Sequence, residues 1–159
     1  MGNKEDKSGG TRTITVNRRA RHEYFIEDTF TAGIVLVGTE VKSLRAGKVN
    51  LSDAYARFDK SGELWLQNAH ISPHTEGNRF NVEPVRPRKL LLKRAELDRI
   101  RAKLEQKGLT LVPLSLFFQR GFAKVELGIG RGKKLYDKRE AIAERDRNRD
   151  AQRALSGRD

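Results

Sequence analysis

Few side chains in this chain are of the types that make or break bonds, and none stands in the pattern such chemistry needs. His70 and His74 have the i, i+4 spacing that on a helix presents two imidazoles to zinc. Pro73 between them forbids a regular helix, and no third ligand is in view. Ser43 and Ser52 are candidate nucleophiles, but neither lies in a nucleophile-elbow sequence, and the chain has three histidines and no cysteine. Gly128-Ile-Gly-Arg-Gly132 invites a phosphate-loop reading, yet it lacks the Walker spacing and its closing Lys-Ser/Thr. It reads instead as a flexible hinge whose glycines also let backbone approach a phosphate closely. No enzyme, metal or cofactor is expected.

The side chains that recur with a purpose are cations. Arg18, Arg19 and Arg21 form one cluster, Lys42, Arg45 and Lys48 a second, and Arg86, Arg88, Lys89, Lys93 and Arg94 a third. Residues 131–159 add ten Lys and Arg against six acids. The net charge is +12, and an excess of this size points to a polyanion: DNA, RNA or an anionic membrane surface. Three clusters and a basic tail in one small domain favour binding to a phosphate backbone. Bases could stack on Tyr24, Phe30, Tyr55, Phe80 or Tyr136; Phe80 and Tyr136, in polar surroundings, are the better candidates.

The tail can be examined by helical geometry. At about 100° per residue, Lys134, Lys138, Arg145, Arg149 and Arg153 fall within a sector of roughly 100°, with Asp137, Glu140 and Glu144 nearly opposite. There is no apolar stripe, so free in water this segment has nothing to offset its ordering entropy. Along a phosphate-lined groove it would be helical. No apolar run approaches the roughly 18–20 residues that span a bilayer. MGNKEDKSGG has no apolar h-region, so a signal peptide is not expected. With no cysteine, a reducing cytoplasm is the expected location, and a monomer the expected free state.

These cations need a scaffold. At 159 residues the chain holds one domain with appendages. Residues 1–12 read as a disordered basic leader and 13–130 as the folded body. Thr13–Asn17 is a short alternating run, and Arg18–Arg21 is too charged for a core strand. Residues 22–37 read as one long or bent strand with Gly33 at a kink, and Ile34–Val37 as buried on both faces. Residues 38–48 read as a short helix with Thr39 as N-cap and Gly47 as C-cap. Residues 54–59 and 63–71 make a hairpin about Lys60-Ser61-Gly62. Residues 72–88 are a loop, and 93–107 the clearest helix, capped by Gly108. A second hairpin, 109–118 with 122–128, turns at Gln119-Arg120-Gly121. Five or six strands arriving as hairpins with two or three helices predict a mainly β chain: a small antiparallel, OB-like β-barrel with a basic C-terminal tail.

Three strings go further. RRARHEYFIEDTFTAGIVLVGTEVKSLRAGKVNLSDAYAR, RPRKLLLKRAELDRI and GRGKKLYDKRE, in that order and spacing, resemble the SsrA-binding protein (small protein B) family of bacterial trans-translation, from about Thr13 to Arg139. The resemblance implies an OB-like barrel that binds the tRNA-like domain of transfer-messenger RNA (tmRNA) and brings it to the stalled ribosome. It implies a tail, disordered when free, that becomes a helix in the empty mRNA channel beyond the decoding centre. Carried onto this chain, the RNA-binding residues are Asn17, Arg18, Arg19, Glu40, Lys42, Ser43, Arg45, Lys48, Asn50, Lys89, Leu91 and Lys124. Glu40 equally suits orienting Lys42 or Arg45. The ribosome-facing residues are Gly132, Lys133, Lys134, Tyr136, Asp137, Lys138 and Arg139, to which the helical spacing adds Arg145, Arg149 and Arg153. Beyond Arg139 the tail offers only Ala154-Leu155, so its far end would hold the channel by charge more than by packing. The alternatives are a nonspecific single-stranded nucleic-acid module and a ribosome-associated assembly protein.

Overall fold

A computed structural model describes residues 10–73, 82–134 and 142–149. The elements run β1 (Thr11–Val16), α1 (Arg18–Glu23), β2 (Tyr24–Ile34), α2 (Gly38–Arg45), β3 (Val49–Asn50), β4 (Tyr55–Phe58), β5 (Leu64–Gln67), β6 (His70–Ile71), β7 (Arg88–Leu91), α3 (Arg94–Leu104), β8 (Leu109–Gln119) and β9 (Phe122–Gly132). Residues 142–149 are also helical. One antiparallel sheet has the order β1-β8-β4-β5-β7-β2-β9, and β9 returns to pair with β8. Six strands thus form a near-closed ring, with β1 laid along the Ser115–Gln119 stretch of β8, beyond its contact with β4. The loosest seam is β4 to β8, joined at Ala56 and Leu111. Strands β3 and β6 make a separate ribbon.

Turn chemistry closes the long hairpin. Arg120 and Gly121 both have positive φ, 50° and 82°, as a two-residue type I′ turn requires. The β4–β5 turn is held by Asp59, whose Oδ1 accepts from the Ser61 and Glu63 amides at 2.9 Å each. Asp59 also takes the Trp65 indole N–H at 2.8 Å, and these donors hold its carboxyl below the usual range.

Three bulges make one sheet serve two cores. The register shifts at Thr13/Thr15, Ile26/Asp28 and Pro113/Ser115. Each extra residue reverses which face the following side chains occupy. Leu109 and Leu111 therefore point into the ring with Leu116 and Phe118, while Val112 and Leu114 point out. Likewise Ile26 lies outside and Phe30 inside. The inner core holds Phe30, Leu64, Leu66, Leu90, Ile100, Val125, Leu127 and Ile129. The outer cluster is Val112 and Leu114 beneath Ala20 of α1, flanked by Tyr24 and Ile26.

Several sequence expectations are corrected. His22 and Glu23 belong not to the strand but to a helix, Arg18–Glu23, whose N-cap is Asn17; the charged run Arg18–Arg21 is indeed no core strand. The bend in β2 is the bulge at residue 27, not Gly33. Ile34–Val37 is not buried on both faces: the strand ends at Ile34, and Val35 and Val37 are 46% and 39% exposed. Asn68, in left-handed conformation at φ 58°, separates β5 from His70 and Ile71, which pair with β3 instead. The hinge reading of Gly128, Gly130 and Gly132 also fails, because all three lie in β9. Gly128 and Gly130 pair with β2 on one side and β8 on the other. A Cβ on Gly128 would meet Leu114 Cδ1 at 2.8 Å, and one on Gly130 would meet Tyr24 Cβ at 2.9 Å. The glycines give the outer cluster room to sit on the strand. Of the leader, residues 10–12 are described, and β1 already begins at Thr11.

Candidate nucleic-acid interface

Helix α2 is a cationic platform with a buried anchor. Glu40, Ser43 and Leu44 face inward, while Lys42 and Arg45, and Lys48 just beyond the helix, are exposed. The helix starts at Val37, whose amide donates to Glu40 Oε1 at 3.0 Å, so the expected Thr39 cap is displaced by two residues. It ends as predicted at Gly47 (φ +72°): the Gly47 amide bonds Leu44 O and the Lys48 amide bonds Ser43 O, both at 2.9 Å. That 6→1 and 5→2 pair is a Schellman cap. Among the described residues Lys42, Arg45 and Lys48 have no acidic partner. Arg12, from β1, adds to this face by donating from Nη2 to Arg45 O at 3.4 Å.

Glu40 belongs to the anchor. Its carboxylate accepts from Arg88 Nε at 2.8 Å and Nη2 at 2.5 Å, and from Arg86 Nε at 3.2 Å and Nη2. Arg88 spends its remaining donors on Ala69 O at 2.6 Å and Pro84 O at 3.0 Å. Glu40 is 3% exposed and Arg88 fully buried. Burial pushes the Glu40 carboxyl up, but donation from Arg86, Val37 N–H and Arg88 outweighs it and holds the group below its ordinary range. Burial likewise lowers Arg88, against the pull of Glu40. The network ties α2 to β7 and to the segment after β6. It also corrects two expectations. In this fold Glu40 is enclosed by arginines and orients neither Lys42 nor Arg45. Four of the five cations in the third basic cluster are engaged by three acids: Arg86 and Arg88 are turned onto Glu40, Lys89 pairs with Glu63 at 3.3 Å, and Arg94 with Asp98 at 3.7 Å.

The side chains of Asn17 and Ser43 are also turned inside the protein. Asn17 Nδ2 donates to Leu51 O at 3.0 Å and Pro113 O at 2.8 Å, and Oδ1 accepts from Ala20 N at 3.1 Å. One side chain thus caps α1 and ties it to β8 and to the turn before β4. Ser43 Oγ donates to Ser72 O at 2.6 Å. The expected cations beside them are outside: Arg18 is exposed and, among the described residues, unpaired, while Arg19 bridges Glu23 and Asp53.

Gly33 pairs with Leu91 on one side and Lys124 on the other. These two expected residues therefore flank Gly33 on the outer face, one strand to either side of it, and Leu91 is exposed. Phe122 shares that face two residues before Lys124 and is 71% exposed. The sequence reading missed it, although its alternation with inward-facing Val125, Leu127 and Ile129 marks it as outward. Asn50 is exposed on β3, its Oδ1 accepting from Ser52 N. Of the stacking candidates, Phe30 is in the core, and Tyr24 and Tyr55 are half-buried.

Gly132 ends β9. Lys133 lies with Nζ 5.1 Å from the centre of the exposed Phe25 ring and donates to Arg21 O at 3.4 Å. Lys134 is exposed, as are Arg145 and Arg149, one turn apart on the 142–149 helix. Tyr136, Asp137, Lys138, Arg139 and Arg153, with Phe80 and His74, lie outside the described residues.

Among the described residues no group of three or more His, Cys, Asp or Glu is placed to hold a metal ion, and no helix is long and apolar enough to cross a membrane. Fold and surface define a small antiparallel barrel that displays cations, unpaired among the described residues, from helices fixed by buried polar anchors, a class of barrel suited to meeting a polyanion. A family model described as SmpB protein matches residues 14–157. The SsrA-binding protein of Desulforudis audaxviator is 58% identical over 146 residues, 92% of this chain and 95% of that one. The SsrA-binding protein of Moorella thermoacetica is 59% identical over 145 residues, 91% and 93% of the two chains. A chain in a solved structure described as "tmRNA-SmpB: a journey to the center of the bacterial ribosome" superposes with a TM-score of 0.64 at 58% identity, covering 75% of this chain and 83% of that one. This chain belongs to the SmpB protein family, whose members are not enzymes.

Proposed function

We propose that this cytoplasmic protein binds the tRNA-like domain of tmRNA and carries it to ribosomes stalled on messages without a stop codon. The observation that carries the reading is the α2 platform. Two cations on a helix that a buried carboxylate holds in place, and a third just beyond its cap, face solvent free of acidic partners among the described residues. A rigid array of this kind contacts phosphates without first ordering itself. Arg18, Arg19, Asn50, Lys89, Leu91 and Lys124 complete the RNA-facing set, on a ring we assign to the OB-like small barrels. Membership of the SmpB family and the likeness to a tmRNA–SmpB chain support the choice of RNA.

In the same reading the tail beyond β9, residues 133–159, enters the vacant mRNA channel as a helix, with Arg145, Arg149 and Arg153 toward rRNA and Tyr136 stacked on a base of the decoding centre. Residues 132–139 form the root of this ribosome-facing part. Deleting residues 133–159 tests the division of labour. The truncated protein keeps its affinity for tmRNA and loses tagging on stalled ribosomes. Loss of both activities, or of neither, refutes it. A homopolymer RNA that competes as well as tmRNA refutes the specificity.

A further inference from the structure

A recess of about 370 Å³ opens between α1, the turn before β4 and the outer face of β8. Tyr24 and Tyr55, both half-buried, form part of its wall. Arg19 spans two acids that also line it, with Nε 3.0 Å from Glu23 Oε1 and Nη1 2.7 Å from Asp53 Oδ1. Each carboxylate gives one oxygen to the guanidinium. The second oxygen of each has no hydrogen-bond partner among the described residues. The clasp is solvent-exposed, so its ion pairs cost little to rearrange.

The charge here runs against the rest of the molecule. One Arg and two acids leave the recess at −1 on a protein of net charge +12. A phosphate is repelled by that lining. A neutral aromatic ring with N–H donors on its edge is not, because it stacks on tyrosine and donates to carboxylate. Of the four bases, guanine offers two adjacent donors, N1–H and N2–H, with no acceptor between them. Adenine and cytosine each set one amino donor beside an acceptor, and uracil sets its single N–H between two carbonyls. The volume admits one nucleobase and its ribose.

We infer that this recess takes one unpaired guanine of the partner RNA, the base edge donating to Asp53 and Glu23 and its phosphates passing the exposed Arg18. The inference rests on the RNA-binding reading above and adds to it a base-specific contact on a surface otherwise suited to phosphates.

Kethoxal, which modifies N1 and N2 of unpaired guanines, reads this contact directly. Full-length protein is bound to tmRNA and probed beside D53N and E23Q, with RNA affinity measured by gel shift. Asp53 is 77% exposed, so D53N keeps its unfolding midpoint. The wild-type complex protects a guanine whose protection is lost with D53N and E23Q, and affinity falls about tenfold, the scale of one bidentate base contact. Tight binding in which every protected guanine stays protected in both variants overturns the recess and leaves RNA binding standing. Failure of the wild-type protein to bind tmRNA overturns both. As a second readout, guanosine monophosphate shifts the NMR amide signals of residues 52–55 more than uridine monophosphate does; equal shifts overturn the preference for guanine.

Discussion

Replacing Glu40 by Gln isolates what holds the α2 platform. The change keeps the side chain's shape and removes its charge. Arg88 is fully buried, and its other acceptors are two neutral carbonyls, of Ala69 and Pro84. Removing one partner from such a pair leaves an uncompensated buried charge, at a cost of about 3–5 kcal/mol. For a domain of this size that lowers Tm by on the order of 10–20 °C. The pH dependence has a definite sign. The Glu40 pKa is lower folded than unfolded, so its contribution is complete above the ordinary value of 4.5 and is lost as pH falls through the folded value. Urea unfolding from pH 7 to pH 3 shows wild type losing its advantage over E40Q in the acid range. The double variant E40Q/R88M removes the stranded charge and recovers most of the loss, since an apolar replacement of a buried pair is often close to neutral. An E40Q protein within about 1 kcal/mol of wild type at pH 7, or a double variant weaker than E40Q, refutes the reasoning.

Three further outcomes follow from the packing and the surface. Gly130→Ala drives a methyl into Tyr24 Cβ and Ile26, costing about 1–3 kcal/mol in urea unfolding; a neutral result revives the hinge. Asn17→Ala removes the α1 cap and the side-chain bonds to the carbonyls of Leu51, which keeps the Ala54 amide, and Pro113, costing about 1–3 kcal/mol by thermal unfolding, and a loss under about 0.5 kcal/mol contradicts the anchoring role. Replacing Lys42, Arg45 and Lys48 together by Ala lowers the slope of log affinity for tmRNA against log salt by about 2–3 units, a little under one per lost phosphate contact; an unchanged slope excludes α2 from the interface.

The hairpins, α2 and α3 were legible in the sequence because each carries a local signal: an Arg-Gly turn, a Gly47 cap, leucines at helical spacing. The cationic face of α2 came with its periodicity. What stayed hidden depends on residues distant in the chain. Glu40 meets Arg86 and Arg88 only across the fold, so its carboxylate read as a surface group and theirs as a basic cluster. Nothing near Asn17 in the sequence announces its hydrogen bonds to the carbonyls of Leu51 and Pro113, which lie far along the chain. The glycines of β9 resemble a linker by composition. Their packing role needs Leu114 and Tyr24 on the outer face, and bulges at residues 27 and 114 put them there. Bulges reverse the two-residue alternation, so simple periodicity misassigns a face beyond each one.

The position of β9 bears on how the tail transmits force. The strand is hydrogen-bonded to β2 on one edge and β8 on the other along nearly its whole length, and residues 133 onward continue directly from its end. A pull on the tail along the strand axis loads both ladders in shear, where many hydrogen bonds must break together rather than one after another. The root of the tail is thus tethered to the most doubly supported strand of the barrel, with Lys133 against Phe25 where it leaves the sheet. A pull applied at Lys133 is therefore shared between β2 and β8 and does not peel either strand away alone.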